Sequence, residues 1–169
     1  MKIAIMSDTH DNLANFKKVI AFIKKEKVNL TIHCGDVCFA DTLREALKDY
    51  KGDFLISKGN GDIENFCFGK LCPKEFAHVK FFEDFGKITA NKKKIAFTHM
   101  PEKAKKMAES QKYDLVFCGH YHRPWEEKIK KTRFANPGNV AGLYYPPTFA
   151  LYDTTNDKLE LKILNRLKI

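Results

Sequence analysis

Short apolar runs recur along the chain, separated by polar stretches, and their spacing predicts the elements. Lys2–Met6 (KIAIM) is an apolar run suited to a buried strand. Asp11-Asn12 then offers a helix cap, and Leu13, Phe16, Ile20 and Ile23 recur at helical spacing through about Glu26. Val28–His33 predicts a second strand, ending in Cys34-Gly35-Asp36. A shorter helix with a cap at Asp41 follows, placing Leu43, Ala46 and Leu47 on one face. Asp53–Ser57 predicts a third strand, running into Lys58-Gly59-Asn60-Gly61-Asp62. Strand, helix, strand, helix, strand at this spacing implies parallel βαβ crossovers.

The pattern then changes. Residues 63–80 show no clear period and read as loop with room for a short helix. Phe81–Thr89 and Lys94–Thr98 read as a hairpin around Asn91-Lys92-Lys93. Pro101 to Lys112 reads as a helix with proline in its first turn. Tyr113–Cys118 is another buried strand. Arg133-Phe134-Ala135 runs into the turn signal Asn136-Pro137-Gly138, and Thr148–Asp153 with Lys158–Leu164 predicts a terminal hairpin. Parallel pairs early and hairpins late predict an α/β fold of two packed mixed sheets with outer helices. No repeat, low-complexity tract or linker divides residues 1–169, so one domain is expected.

Composition narrows the class. Hydrophobic residues make up 44% and charged residues 30% of 169, ordinary for a globular chain and unlike a disordered one. No apolar run approaches the ~20 residues that span a bilayer, and the apolar start is too short for a secretory signal. A soluble, cytoplasmic protein is expected. Five cysteines, at 34, 38, 67, 72 and 118, are then expected as thiols. Cys34-x3-Cys38 and Cys67-x4-Cys72 only loosely suggest structural zinc, and neither has the tight C-x2-C spacing. The net charge of +9 suits an anionic partner, but no nucleic-acid motif accompanies it, so a lysine-rich solvated surface is the simpler reading.

The informative feature is where metal-capable residues fall. Asp8 and His10 follow the first run, Asp36 the second and Asn60 the third, the last two behind glycines. His99 ends the run Ile95–Thr98, and His120 and His122 follow Val116–Gly119. Ligand sites in α/β sheets gather where strands end in loops, because the strands fix those loops rigidly. Singly each fragment is weak. His33, in or beside a strand, and His78, in a loop, read as structural histidines. Together the ordered set points to a dinuclear metal site, with His-x-His its strongest fragment.

Asp8-x-His10, Gly35-Asp36, Gly59-Asn60, His99 and Gly119-His120-x-His122 resemble the five blocks of the calcineurin-like metallophosphoesterase superfamily. The opening MSDTHDN, the late NPGN and the length are similar to its small bacterial and archaeal phosphodiesterase branch. The resemblance runs from Met1 to about Asp153. It implies a four-layer α/β/β/α sandwich with two metals at one edge of the sheets. By residue, it assigns Asp8, His10 and His122 to one metal, Asn60, His99 and His120 to the other, and Asp36 as the bridging carboxylate. The donor set suits two divalent cations, manganese first, with nickel, iron or zinc as alternatives. Cations roughly 3.5–4 Å apart can share a hydroxide of lowered pKa for in-line attack. No protein nucleophile is therefore assigned. A small phosphoester, preferably a diester, is the implied substrate.

Three positions depart from the family pattern. Gly61 stands where a histidine general acid is often found, which puts protonation of a poor leaving group in doubt. Asp62 remains as a candidate partner that holds a ligand in place. Met100 replaces glycine after His99, and Tyr121 replaces threonine; each either lines the substrate cleft or packs. Two rivals stand beside the phosphodiesterase. One is a non-catalytic scaffold, as in a retromer subunit resembling this branch. The other is a nuclease, for which 169 residues leave little room for capping segments. P-loop chemistry is excluded, as no G-x-x-x-x-G-K-[ST] occurs.

Overall fold

A computed structural model of the protein describes residues 1–62 and 77–168. Among these, eleven strands form two sheets. The first runs β11(Lys158–Ile163), β10(Thr148–Asp153), β1(Lys2–Met6), β2(Leu30–His33), β3(Asp53–Ser57), β4(Val79–Phe82). β1 to β4 are parallel neighbours, while β10 and β11 are antiparallel to theirs. The second runs β5(Phe85–Ala90), β6(Lys93–Thr98), β7(Leu115–Phe117), β9(Thr132–Asn136), β8(Trp125–Ile129). In it β6, β7 and β9 are parallel, and β5 and β8 are antiparallel edges.

Side-chain alternation along β1 shows how the layers form. Ile3 and Ile5 point between the sheets, packing with Ile32, Phe97, Phe117 and Tyr152. Ala4 and Met6 point the other way, under the helices α1(Leu13–Lys25) and α2(Ala40–Leu47). Helix α1 buries Phe16, Val19, Ile20 and Ile23 there, each burial contributing about 1.5–3 kcal/mol. Helix α3(Pro101–Glu109) covers the far face of the second sheet with Ala104 and Ala108 against Ala96, Val116 and Phe134. The result is the expected α/β/β/α sandwich. No helix among the described residues is long and apolar enough to cross a membrane.

Several expectations need correction. The run Phe81–Thr89 is not one strand: the chain bends at Glu83-Asp84, and its halves, β4 and β5, belong to different sheets. Asp41 is not a cap. It lies in the first turn of α2, where its charge complements the positive helix end, and Phe39 occupies the cap without a side-chain bond. Helix α3 stops at Glu109 instead of reaching Lys112. Strand β8 has no counterpart in the predicted elements. Asn12 does cap α1, its side chain accepting from the Asn15 N–H at 3.0 Å. The short helix allowed within 63–80 and the Cys67–Cys72 pair fall on or within residues 63–76, outside the described residues.

Candidate metal centre

Five parallel strands, β1, β2 and β3 in one sheet and β6 and β7 in the other, carry every candidate donor in the loops that follow them. Asp8 and His10 follow β1, Asp36 follows β2, Asn60 follows β3, His99 follows β6, and His120 and His122 follow β7. The loops are stitched by main-chain bonds. Asp8 N–H donates to the Gly35 carbonyl at 2.9 Å, and the N–H groups of Thr9 and His10 donate to the Asp36 carbonyl at 2.8 and 3.0 Å. Gly59 is required by this close approach, because a β-carbon there would overlap the Asp36 carboxylate and main-chain nitrogen.

All seven predicted donors come together, in two adjoining groups. In the first, His10 Nε2 lies 3.0 Å from His122 Nε2, and His122 Nε2 lies 3.3 Å from Asp8 Oδ1. In the second, His99 Nε2 lies 2.9 Å from Asn60 Oδ1 and 3.2 Å from His120 Nδ1, which is itself 2.8 Å from Asn60 Oδ1. Asp36 stands between them: its Oδ2 is 3.6 Å from His10 Nε2 and 3.5 Å from His99 Nε2.

Lone pairs crowd this site. His99 Nδ1 faces the Cys34 carbonyl at 2.9 Å, so it carries the proton and donates. Its Nε2 is then an acceptor, aimed at an amide oxygen and a buried carboxylate, which are acceptors too. Converging acceptors repel unless a cation sits among them. Two sets, Asp8 with His10 and His122, and Asp8 with Asp36 and His99, have donor atoms close enough to hold an ion. The mixed carboxylate, imidazole and amide donors fit divalent transition metals.

Charge at the site follows from burial and pairing. Burial opposes ionisation of Asp8, but hydrogen bonds with His10 and His122 outweigh it and hold its carboxyl well below the usual range. Burial raises the Asp36 carboxyl, against the pull of His99 and the Gly61 N–H. The Asp8 hydrogen bond raises His10.

Asp62 faces away from the cluster into the backbone. Its Oδ2 accepts from Asp36 N–H at 3.0 Å and Gly59 N–H at 2.8 Å, and its Oδ1 accepts from Cys38 N–H at 2.8 Å. It therefore clamps the loop after β3 to the loop after β2. His33, read as structural, is fully buried: it accepts the Gly35 N–H at Nδ1 (3.2 Å) and donates from Nε2 to Thr9 Oγ1 (2.8 Å).

A family model for the calcineurin-like phosphoesterase superfamily domain matches residues 1–157. The chain belongs to that superfamily. A phosphodiesterase of Methanocaldococcus jannaschii is 34% identical over 157 residues, which cover 91% of this chain and 93% of that one. The solved structure of an archaeal phosphodiesterase superposes with a TM-score of 0.87 at 29% identity, covering 96% of this chain and 99% of the other. Vacuolar protein sorting 29 of Cryptosporidium parvum superposes with a TM-score of 0.68 at 20% identity, covering 96% and 95%, a likeness of fold alone. The superfamily name implies divalent metals, in keeping with the donor groups found.

The superfamily pattern led to the donors but not to what surrounds them. Asn139, buried after β9, donates from Nδ2 to the His122 carbonyl at 3.0 Å and accepts the Leu143 N–H at 2.8 Å. The NPGN turn was its only sequence signal. Tyr121 and Met100 are both exposed, and the Tyr121 hydroxyl donates to Glu102 at 2.9 Å. Cys34 and Cys118 are buried thiols, and no cysteine enters either donor group among the described residues.

Proposed function

We propose that this chain is a metal-dependent phosphodiesterase with a dinuclear centre. Asp8, His10 and His122 would hold one cation, Asn60, His99 and His120 the other, and Asp36 would bridge them. The observation that carries the reading is the convergence of His10 on His122 and of His99 on Asn60 and His120 around one buried carboxylate, Asp36. Bound there, a cation pair supplies positive charge to the phosphoryl oxygens and an activated water-derived nucleophile. Manganese is the first candidate, with nickel, iron and zinc behind it. The relatives named phosphodiesterases support a diester over a monoester substrate.

The residues of the chain define the remaining work. The Cys34 carbonyl takes the Nδ1 proton of His99 and so turns Nε2 towards the site. Asp62 cannot stand in for a general acid, since both its oxygens are engaged with backbone N–H groups. With glycine at 61, the leaving group must take its proton from water or from the substrate. Diesters with acidic leaving groups are therefore favoured. The substrate is a small phosphoester, not a nucleic acid.

The test is turnover of bis-p-nitrophenyl phosphate and a panel of other phosphoesters by purified protein supplied with Mn²⁺ or other divalent metals, with metal content measured on the same sample. Turnover with two metals per chain is expected. Tight metal binding without turnover of any diester would instead mark a scaffold, and turnover confined to oligonucleotides and falling steeply with salt would mark a nuclease.

A further inference from the structure

The exposed apolar side chains are gathered around the metal-binding loops. Among the described residues, nine large hydrophobics are exposed, and six of these (Phe39, Met100, Tyr121, Leu143, Tyr144 and Tyr145) lie on the loops after β2, β6, β7 and β9. Two of the six are aromatic rings set beside candidate metal ligands. Tyr144 is 91% exposed, and its ring centroid lies 6.0 Å from that of His122, tilted by 35°. Tyr121 lies 5.7 Å from His120, centroid to centroid.

Neither ring hangs on a loose loop. Asn139 ties the His122 carbonyl to the N–H of Leu143, next to Tyr144. Tyr144 itself is held at φ 62°, a left-handed conformation that disfavours residues with a β-carbon. Its ring gains almost no burial in return. The Tyr121 hydroxyl is anchored on Glu102 in the first turn of α3. An aromatic face left open to water beside a charged centre, on a backbone held in place, is a stacking surface. The geometry places one such face next to each half of the donor cluster, so a diester held at the centre would extend its two ester arms past them.

We propose that Tyr144 and Tyr121 are stacking subsites, and that the substrate is a small phosphodiester bearing at least one nucleobase. This rests on the phosphodiesterase reading and narrows its substrate class. An aliphatic ester arm would cover little of either ring, whereas a purine or pyrimidine is flat, wide enough to overlap one, and joined to phosphate by a short sugar. The positive net charge of the chain favours the same anionic ligands.

The experiment compares two monophosphates that differ only in the base. Binding of adenosine 5′-monophosphate and of ribose 5-phosphate to the Mn²⁺-loaded protein is measured by calorimetry. The nucleotide is expected to bind about five- to a hundredfold more tightly, the range that base stacking contributes. Tyr144→Ala should shrink that gap to a few-fold at most, and Tyr144→Phe should restore it, with metal content unchanged in both. Equal binding of the two ligands by the wild-type protein overturns the inference. So does a gap that survives Tyr144→Ala and Tyr121→Ala together. Turnover of bis-p-nitrophenyl phosphate is followed on the same samples. If wild type lacks it, the enzymatic reading fails; if wild type shows it but binds both monophosphates alike, only the stacking subsites fail.

Discussion

Asp62→Asn isolates the clamp between two metal-binding loops with little change in size. The carboxylate is buried and receives three backbone N–H groups, two on Oδ2 and one on Oδ1. An asparagine can present only one oxygen. If that oxygen replaces Oδ2, the amide NH₂ faces the Cys38 N–H, donor against donor. A lost charge-assisted hydrogen bond with its stranded donor costs about 1.5–3 kcal/mol, and the two retained bonds weaken because their acceptor is neutral. Removing a buried charge returns part of this. The net loss is about 2–4 kcal/mol, a drop of about 5–12 °C in Tm for a chain of this size. Because the stranded N–H belongs to the loop carrying Asp36, metal affinity should also fall, by roughly 10- to 100-fold. Scanning calorimetry on metal-free protein reads the first effect, and metal titration the second. A variant matching wild type in both would show that the three bonds do not set the loop. Reduced turnover with unchanged stability and metal affinity would place Asp62 on the substrate instead.

Asp36→Ala should abolish turnover and lose at least one metal per chain, measured by elemental analysis beside the activity assay; full activity with two metals would contradict its bridging role. His33 should make the metal-free protein acid-sensitive. Burial depresses its pKa from 6.5 to about 4, so the unfolded chain takes up the proton first. Its share of stability is complete above pH 6.5 and is lost as pH falls towards 4, on the order of 3 kcal/mol in all. Urea midpoints across that window should fall more steeply for wild type than for His33→Gln, and parallel curves would show that the buried imidazole is not held neutral.

How far the sequence was legible depended on what each segment buries. β1, β3 and β10 were predicted to the residue, because strands apolar on both faces and flanked by polar turns leave little latitude. β8 was missed, since its Glu126-Glu127-Lys128 centre sits on an exposed edge and, among the described residues, pairs only with β9. The break between β4 and β5 was missed for another reason: periodicity records which face of a strand is buried but not which sheet the strand joins. The donors were legible because each follows a recognisable strand. Asn139 and Tyr144 were not, because their roles come from a loop whose path depends on hydrogen bonds to residues far away in sequence.

Backbone conformation at the site explains this division. Five of the seven candidate donors have left-handed backbones: Asp8 at φ 54°, His10 at 40°, Asp36 at 61°, His120 at 74° and His122 at 57°. Each such residue costs about 1 kcal/mol or more, so together they draw on the same few kcal/mol that separate a folded domain from an unfolded one. Such strain persists only where the surroundings over-determine it. Here the surroundings are the sheets themselves, acting through the loop-to-loop bonds from Asp8, Thr9 and His10 to Gly35 and Asp36, and from Ala141 to the Asp8 carbonyl. Local preference alone would turn these residues into ordinary extended or helical backbone and scatter their side chains. The donor cluster is thus a tertiary product, in which two apolar sheets hold five unfavourable turns in place so that their side chains converge.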